Sequence, residues 1–206
     1  MNRLTDRALV LLGGLAVAVS VASGQPSGTT PPSYEISYPN YQYEITVPSL
    51  QDADFRNLTA CWHRSDLRRS VQLRNGTFQQ NYDGGSDYVA VDLIRLFKPP
   101  GATEDRAVID ILWRSCGGSC SDNGLLQVFE LRSGHPTVVE QIRYGRHAPN
   151  TGAILNTDSR ILTITGRSSE PSPNCCPRSL DVMDFEWDGK EFHFKSSKRV
   201  ALPDAP

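Results

Sequence analysis

The sequence predicts a mainly β protein: an antiparallel sheet built from hairpins, with at most short helices. Three observations carry this. The chain holds 16 Gly and 14 Pro in 206 residues, which punctuates it with turns at short intervals. Between the turns recur apolar runs of strand length, rich in Val, Ile and aromatic residues. No stretch between consecutive runs has the length and period of a crossover helix, so neighbouring strands are expected to pair antiparallel.

The first 24 residues read as an export signal rather than as part of the fold. Arg3 and Arg7 form a charged start, and Ala8 to Val19 is an unbroken apolar run of 12 residues. That is short of the roughly 20 needed to span a bilayer as a helix. Ser20-Val21-Ala22 and Ala22-Ser23-Gly24 both fit a small-x-small cleavage site, so the mature chain is expected to start near Ser23 or Gln25. An uncleaved anchor is the alternative. No later segment is apolar enough to span a membrane as a helix. Residues 25–39 have the Pro, Ser and Thr content of a linker, residues 40–200 read as one β-rich domain, and 201–206 as a tail.

Within the domain, Tyr41, Tyr43, Ile45 and Val47 alternate with polar residues, the period of a half-buried strand. Ser49 after Pro48 is positioned to cap a short helix from Asp52 to Leu58. Val71 and Leu73 lead into Asn75-Gly76 and then Thr77-Phe78, a two-residue hairpin signal. The period of Tyr88 to Phe97 fits strand or helix. Ala107 to Trp113 is short and nearly continuously apolar, as a central strand should be. Leu125–Leu131, Thr137–Tyr144 and Ile161–Thr165 follow as strands, the first two separated by Ser133-Gly134. The last expected hairpin runs from Leu180–Trp187 through Asp188-Gly189, read as a type I′ turn, to Glu191–Lys195. The core is expected to include Ile109, Ile111, Trp113, Val128, Ile142, Ile164, Phe185 and Trp187.

Several short stretches carry a resemblance. They are Asn57 to Thr59, Val71 to Phe78 (Val-Gln-Leu-Arg-Asn-Gly-Thr-Phe), Arg106 to Ile109, Cys116 to Ser119, Asn174 to Pro177 (Asn-Cys-Cys-Pro), and the closing Trp187 to Gly189. Through these the chain resembles the LppP/LprE lipoprotein-like family of bacterial exported proteins. The resemblance implies an exported β-rich domain and no particular reaction. Where family members carry an Asp-Gly-Asp-Gly-like loop, this chain has Pro99 to Asp105, and it lacks the cysteine that would accept a lipid.

A net charge of −2 argues against a nucleic-acid protein, which would normally carry a basic face. Tyr34, Tyr38, Tyr41 and Tyr43 crowd one segment, either as a stacking surface for a ligand or as one packed strand face. The cysteines are Cys61, Cys116, Cys120, Cys175 and Cys176, an odd number. In an exported protein their default is disulfide, and adjacent Cys175 and Cys176 bond each other only through a strained ring. At least one of that pair is therefore expected to bridge to Cys116, Cys120 or Cys61. Zinc and redox readings compete less well, because neither two-residue knuckle spacing nor Cys-x-x-Cys is present.

His63, His135, His147 and His193 show no metal-ligand spacing. Gly117 to Ser121 lacks the closing glycine of a nucleophile elbow. Asp83 to Asp87 and Asp122 to Gly124 offer oxygens for calcium, but turn chemistry is the simpler reading. Arg64, Arg68, Arg69 and Arg74 read as a solvated basic run. No catalytic residue, metal site or cofactor is expected. The leading expectation is a non-catalytic exported domain that binds an envelope or extracellular partner. The alternative is a hydrolase or thiol-redox enzyme whose site is assembled from loops.

Overall fold

The computed structural model describes residues 32–64, 67–146, 151–168 and 177–202, with 62–64 and 67–69 described by backbone alone. It is mainly β and antiparallel throughout. The strands in chain order are β1 (Tyr34–Ser37), β2 (Tyr41–Gln42), β3 (Thr59–Arg64), β4 (Leu67–Gln72), β5 (Thr77–Tyr82), β6 (Gly85–Phe97) and β7 (Arg106–Gly117). They continue as β8 (Ser119–Arg132), β9 (His135–Gly145), β10 (Gly152–Asn156), β11 (Ile161–Arg167), β12 (Ser179–Trp187) and β13 (Phe192–Ala201). No helix among the described residues is long and apolar enough to cross a membrane.

Three sheets stack in layers. The central one has the order β1-β9-β8-β7-β6-β5, with β2 also on β9; a second runs β10-β11-β12-β13, and β3-β4 is a separate hairpin. One face of the central sheet packs Val89, Ile109, Ile111, Trp113, Leu125 and Phe129 against Tyr43, Phe55, Leu58 and Ala60 from the 43–60 stretch. Its other face packs Val108, Leu126, Val128 and Ile142 against Leu162, Ile164, Phe185 and Trp187 of the four-stranded sheet. Both faces being covered explains why Ala107 to Trp113 reads as an apolar run without alternation. All eight residues expected in the core are at most 3% exposed.

Bulges set which side chain meets which layer. In β6 the register passes from Val91 opposite Ile111 to Leu93 opposite Asp110, leaving Asp92 unopposed and re-aimed. In β9 the step from Val128–Glu140 to Phe129–Val138 leaves Val139 unopposed. Val138 thereby joins the hairpin-side core while Ile142 and Tyr144 join the other.

Five expectations need correction. The stretch 25–39 is not all linker, because β1 pairs with β9, Tyr34 opposite Tyr144. The strand expected over Tyr41 to Val47 stops at Gln42. Beyond it the chain is held to β9's start by Tyr43 N–H on Pro136 O (2.9 Å) and to the turn before it by Val47 N–H on Gly134 O (2.8 Å). The helix over Asp52 to Leu58 is instead a single 3-10 turn, Leu50–Asp52, as its weak apolar spacing permits.

The fourth correction concerns Asn75-Gly76. Both residues adopt positive φ (52° and 84°), the type I′ turn that this dipeptide favours. Only one bridge closes beyond it, Arg74 with Thr77. The arms then part, because β4 is already paired to β3 and β5 to β6. Lastly, Asp188-Gly189 is not a two-residue turn. Trp187 pairs with Phe192 across four residues. The Asp188 carboxylate sets that wider loop by accepting the N–H groups of Lys190 (2.7 Å) and Glu191 (2.9 Å).

Candidate functional site

The parting of β4 and β5 opens a groove on the hairpin side of the central sheet. It has a volume of about 410 Å³ and is lined by Ser70, Val71, Phe78, Gln80, Tyr82, Asp87 and Trp113. Strand alternation explains the lining. Phe78, Gln80 and Tyr82 lie on one face of β5, so all three point the same way. Val71 arrives from β4, Asp87 from β6 and Trp113 from β7. Trp113 is 1% exposed and Tyr82 is 45% exposed, so the groove runs from a packed floor to an open rim. The Tyr82 hydroxyl donates to the carbonyl of Cys116 at 3.3 Å, which ties the rim to the β7–β8 turn. Among the described residues of this lining Asp87 is the one formally charged, and its side chain is already engaged. These aromatic and polar side chains suit reversible binding of a ligand that presents apolar and hydrogen-bonding groups together.

A second polar cluster lies between the central and four-stranded sheets, buried except for Asp92 at its edge, whose side chain is 40% exposed. Tyr144 donates its hydroxyl to the Asp110 carboxylate at 2.9 and 2.8 Å. Arg146 reaches Asp110 at 3.5 Å and Asp92 at 2.6 Å, and donates to the Thr151 carbonyl at 2.9 Å. Burial pushes the Asp110 carboxyl above its ordinary value, against the pull of Arg146, the Tyr144 hydroxyl and the Ala153 N–H. Burial works against the Arg146 charge, and the surrounding acids more than restore it. Gly124 lies opposite Tyr144 in the register, and a methyl group there would sit 2.1 Å from the Tyr144 ring. That glycine is the slot in which the ring lies flat toward Asp110. With Asp110 at 0% exposure, the cluster clips β10 to the central sheet rather than facing a substrate.

A third acid, Glu140, is 1% exposed and accepts the Phe192 N–H at 3.0 Å, joining β9 to β13. Burial first, and then the nearby Glu191 and Asp188, push its carboxyl up to about 8, although the Phe192 N–H favours the ionised form.

The four tyrosines do not form one surface. Tyr34 stacks on Phe194 (5.4 Å) and meets Phe185 edge-on, on the side of the four-stranded sheet. Tyr41 and Tyr43 meet edge to face at 5.0 Å on the hairpin side, with Tyr43 buried against Phe129. Tyr38, 51% exposed, hydrogen-bonds Glu191 at the β12–β13 loop. The chain crosses from one layer to the other between them, so the crowding in sequence is not crowding in space.

Cys116 and Cys120 are register partners across the Gly118 turn and are bonded to each other, with Cα atoms 4.0 Å apart. That removes both as partners for the Cys175-Cys176 pair, which lies outside the described residues. Cys61 is buried beneath the hairpin, and its carbonyl accepts from Gln127 at 2.8 Å. The His135 Nδ1 lies 2.9 and 3.1 Å from the Ile45 and Tyr43 carbonyls. Both partners are acceptors, so that nitrogen carries the proton and anchors the 43–47 stretch. His193 pairs with Asp188 at 2.8 Å. Asp188 is held down to about 2, chiefly by the Glu191 and Lys190 N–H groups. Both Asp122 oxygens are taken by Arg114 at 2.7 Å, and Asp83-Gly84 is the β5–β6 turn, so these loops do turn and ion-pair work. Of the basic run, Arg64, Arg68 and Arg69 have side chains outside the described set, and His63 and His147 likewise.

The chain matches no family model, no curated protein and no solved structure. Its functional reading therefore rests on its own geometry. Phe78, Gln80, Tyr82, Asp87 and Trp113 were not singled out as a site by sequence. The one available signal is that β5, Thr-Phe-Gln-Gln-Asn-Tyr, contains neither charge nor proline, although it follows a strong turn.

Proposed function

We propose that this chain is an exported binding domain, non-catalytic in itself, that engages an envelope or extracellular partner through the groove between β4 and β5. The observation that carries the reading is the groove: a broad, open concavity with Trp113 at its floor and Phe78, Gln80 and Tyr82 along one wall. Export is supported by the charged, apolar and small-residue order of the first 24 residues. The Cys116–Cys120 bond accords with an oxidising compartment. The stretches from Asn57 to Gly189 support placing the chain beside the LppP/LprE lipoprotein-like proteins as part of the same proposal.

The test is retention of partners from envelope extract on the immobilised mature protein. Wild type is compared with Tyr82→Ala, whose side chain is nearly half exposed, and with Ile154→Ala at an exposed position (72%) on β10, remote in sequence. Loss of a partner with Tyr82→Ala but not with Ile154→Ala is the expected result. Equal retention by all three would overturn the groove as the binding surface.

A further inference from the structure

The outer edge of β5 is open along most of its length and blocked at one end. β5 is the last strand of the central sheet, with β6 on its inner side. Tyr82 pairs with Gly85 across the two-residue turn Asp83-Gly84, so those two residues exchange hydrogen bonds. By alternation Gln80 and Phe78 also bond inward to β6, while Asn81, Gln79 and Thr77 turn their N–H and C=O groups outward. Thr77 is already served there, because it exchanges both bonds with Arg74, at 2.8 and 3.1 Å. Gln79 and Asn81 have no backbone partner on that side among the described residues, and both are exposed.

Edges of this kind are normally guarded by lysine, proline or a bulge. β13, the edge of the four-stranded sheet, follows that rule with Lys195, Lys198 and Arg199, which would meet a second copy of themselves as like charges. β5 does not: its six residues carry no charge, no proline and no bulge. Such a strand meets its own copy without repulsion.

The opening also limits what shape of strand can enter. Arg74 fills the lane beside Thr77, so an incoming strand can pair along Asn81 and Gln79 and must then turn aside. β5 itself ends in that way, turning through Asp83-Gly84 into β6 directly after Tyr82. An antiparallel copy with its two-fold axis at Asn81 places each Gln79 opposite Asp83 of the other copy, where the turn begins, and leaves the Arg74 lane clear. An axis at Gln80 would instead put Asp83 opposite Thr77, where Arg74 already lies.

We propose that β5 is a self-association edge, through which two copies of this chain pair antiparallel, Asn81 against Asn81, and join their central sheets into one. The two Asn81 residues exchange both backbone bonds across the axis. On the groove face each Gln80 lies opposite Tyr82 of the other copy and covers a side chain that is 45% exposed in the single chain. A two-fold axis of this kind leaves both grooves on the same face of the joined sheet. The inference goes beyond the groove reading and does not depend on it.

The test is sedimentation velocity of the mature oxidised protein. Two paired strand edges bury little surface, so the dimer is expected to form over a range of roughly 10 µM to 1 mM, with the average mass rising toward twice that of the monomer. Asn81→Lys and Asn81→Glu change an exposed position whose register partner on β6, Ser86, is uncharged. Each alone sets like charges directly opposite at the axis and should weaken association about 10-fold, whereas an equal mixture of the two should dimerise at least as well as wild type. Unchanged circular dichroism and melting temperature in dilute solution show that both variants are folded. Amide exchange at Gln79 and Asn81 should slow in wild type as concentration rises, and stay fast in either variant alone. A wild type that is monomeric throughout the range, a dimer indifferent to both substitutions, or a mixture no better than its components would each overturn the proposal. None of these outcomes bears on retention of the extract partner, which tests the groove separately.

Discussion

Replacing Glu140 by Gln should make the protein more stable at pH 8 and remove much of its loss of stability between mildly acid and mildly alkaline pH. Glu140 sits at the junction of β9 and β13, 1% exposed, with Phe192 N–H 3.2 and 3.0 Å from its two oxygens. Its carboxyl titrates at about 8 in the folded protein against an ordinary 4.5. The folded state therefore keeps a proton that the unfolded chain gives up. Below pH 4.5 both states are protonated and the group has no effect. As pH rises from 4.5 to 8 the unfolded chain gains the free energy of ionising and the folded one does not, so stability falls; above 8 it levels off. At 1.36 kcal/mol per pH interval over which only one state is ionised, the full loss is on the order of 4–5 kcal/mol.

The Glu140→Gln variant keeps an oxygen to accept the Phe192 N–H and leaves an amide N–H₂ to be housed, which costs about 1–2 kcal/mol. The expected balance is a variant about 1 kcal/mol less stable than wild type at pH 5 and about 2–3 kcal/mol more stable at pH 8. Urea unfolding followed by tryptophan fluorescence at both pH values reads this directly, provided the slope with urea is the same for both proteins. Parallel stability–pH curves for wild type and variant would refute the reasoning, because the buried carboxyl would then not be the group that titrates.

Three further perturbations test the packing around the buried cluster and the turn. Gly124→Ala puts a methyl group 2.1 Å from the Tyr144 ring and should cost about 3 kcal/mol, lowering the melting temperature by roughly 6–12 °C. Adding it to Tyr144→Ala, which empties that space, should cost far less than the sum of the two. Tyr144→Phe removes both hydroxyl bonds to Asp110 and should destabilise by about 1–3 kcal/mol in urea titration, with the sheet spectrum retained. Cys116→Ser with Cys120→Ser opens a five-residue ring and should cost at most about 2 kcal/mol in a thermal melt, a loss that reductant reproduces in wild type and not in the variant.

The parts of this fold legible in sequence are those in which one strand's surroundings are uniform. Ala107 to Trp113 declares itself because both of its faces are covered, and Ser133-Gly134 does so because both residues take positive φ and close a hairpin, Arg132 opposite His135. Asp110 hides inside the same apolar run. Its partners Tyr144 and Arg146 are 34 and 36 positions away, and no local pattern shows that Gly124 makes room for them. β1 hides in a linker composition for a similar reason: its support comes from β9, more than 100 positions on, as the Arg143–Glu35 hydrogen bonds show.

The groove is harder still, because it arises from a pairing that does not occur. Asn75-Gly76 specifies its turn through backbone energetics that act over two residues. Whether the arms zip up beyond it depends on what else each arm can pair with. β4 gains a full ladder with β3, and β5 gains one with β6, whose length lets it bind both β5 and β7. Closing β4 onto β5 would add a second neighbour to each while pulling β3 and the apolar residues Leu58 and Ala60 off Ile109 and Phe129, which they cover. Burial of that layer outweighs a few edge hydrogen bonds, each worth only about 1 kcal/mol net. The local rule for the turn and the global rule for the core are both obeyed, and the gap between them is the groove.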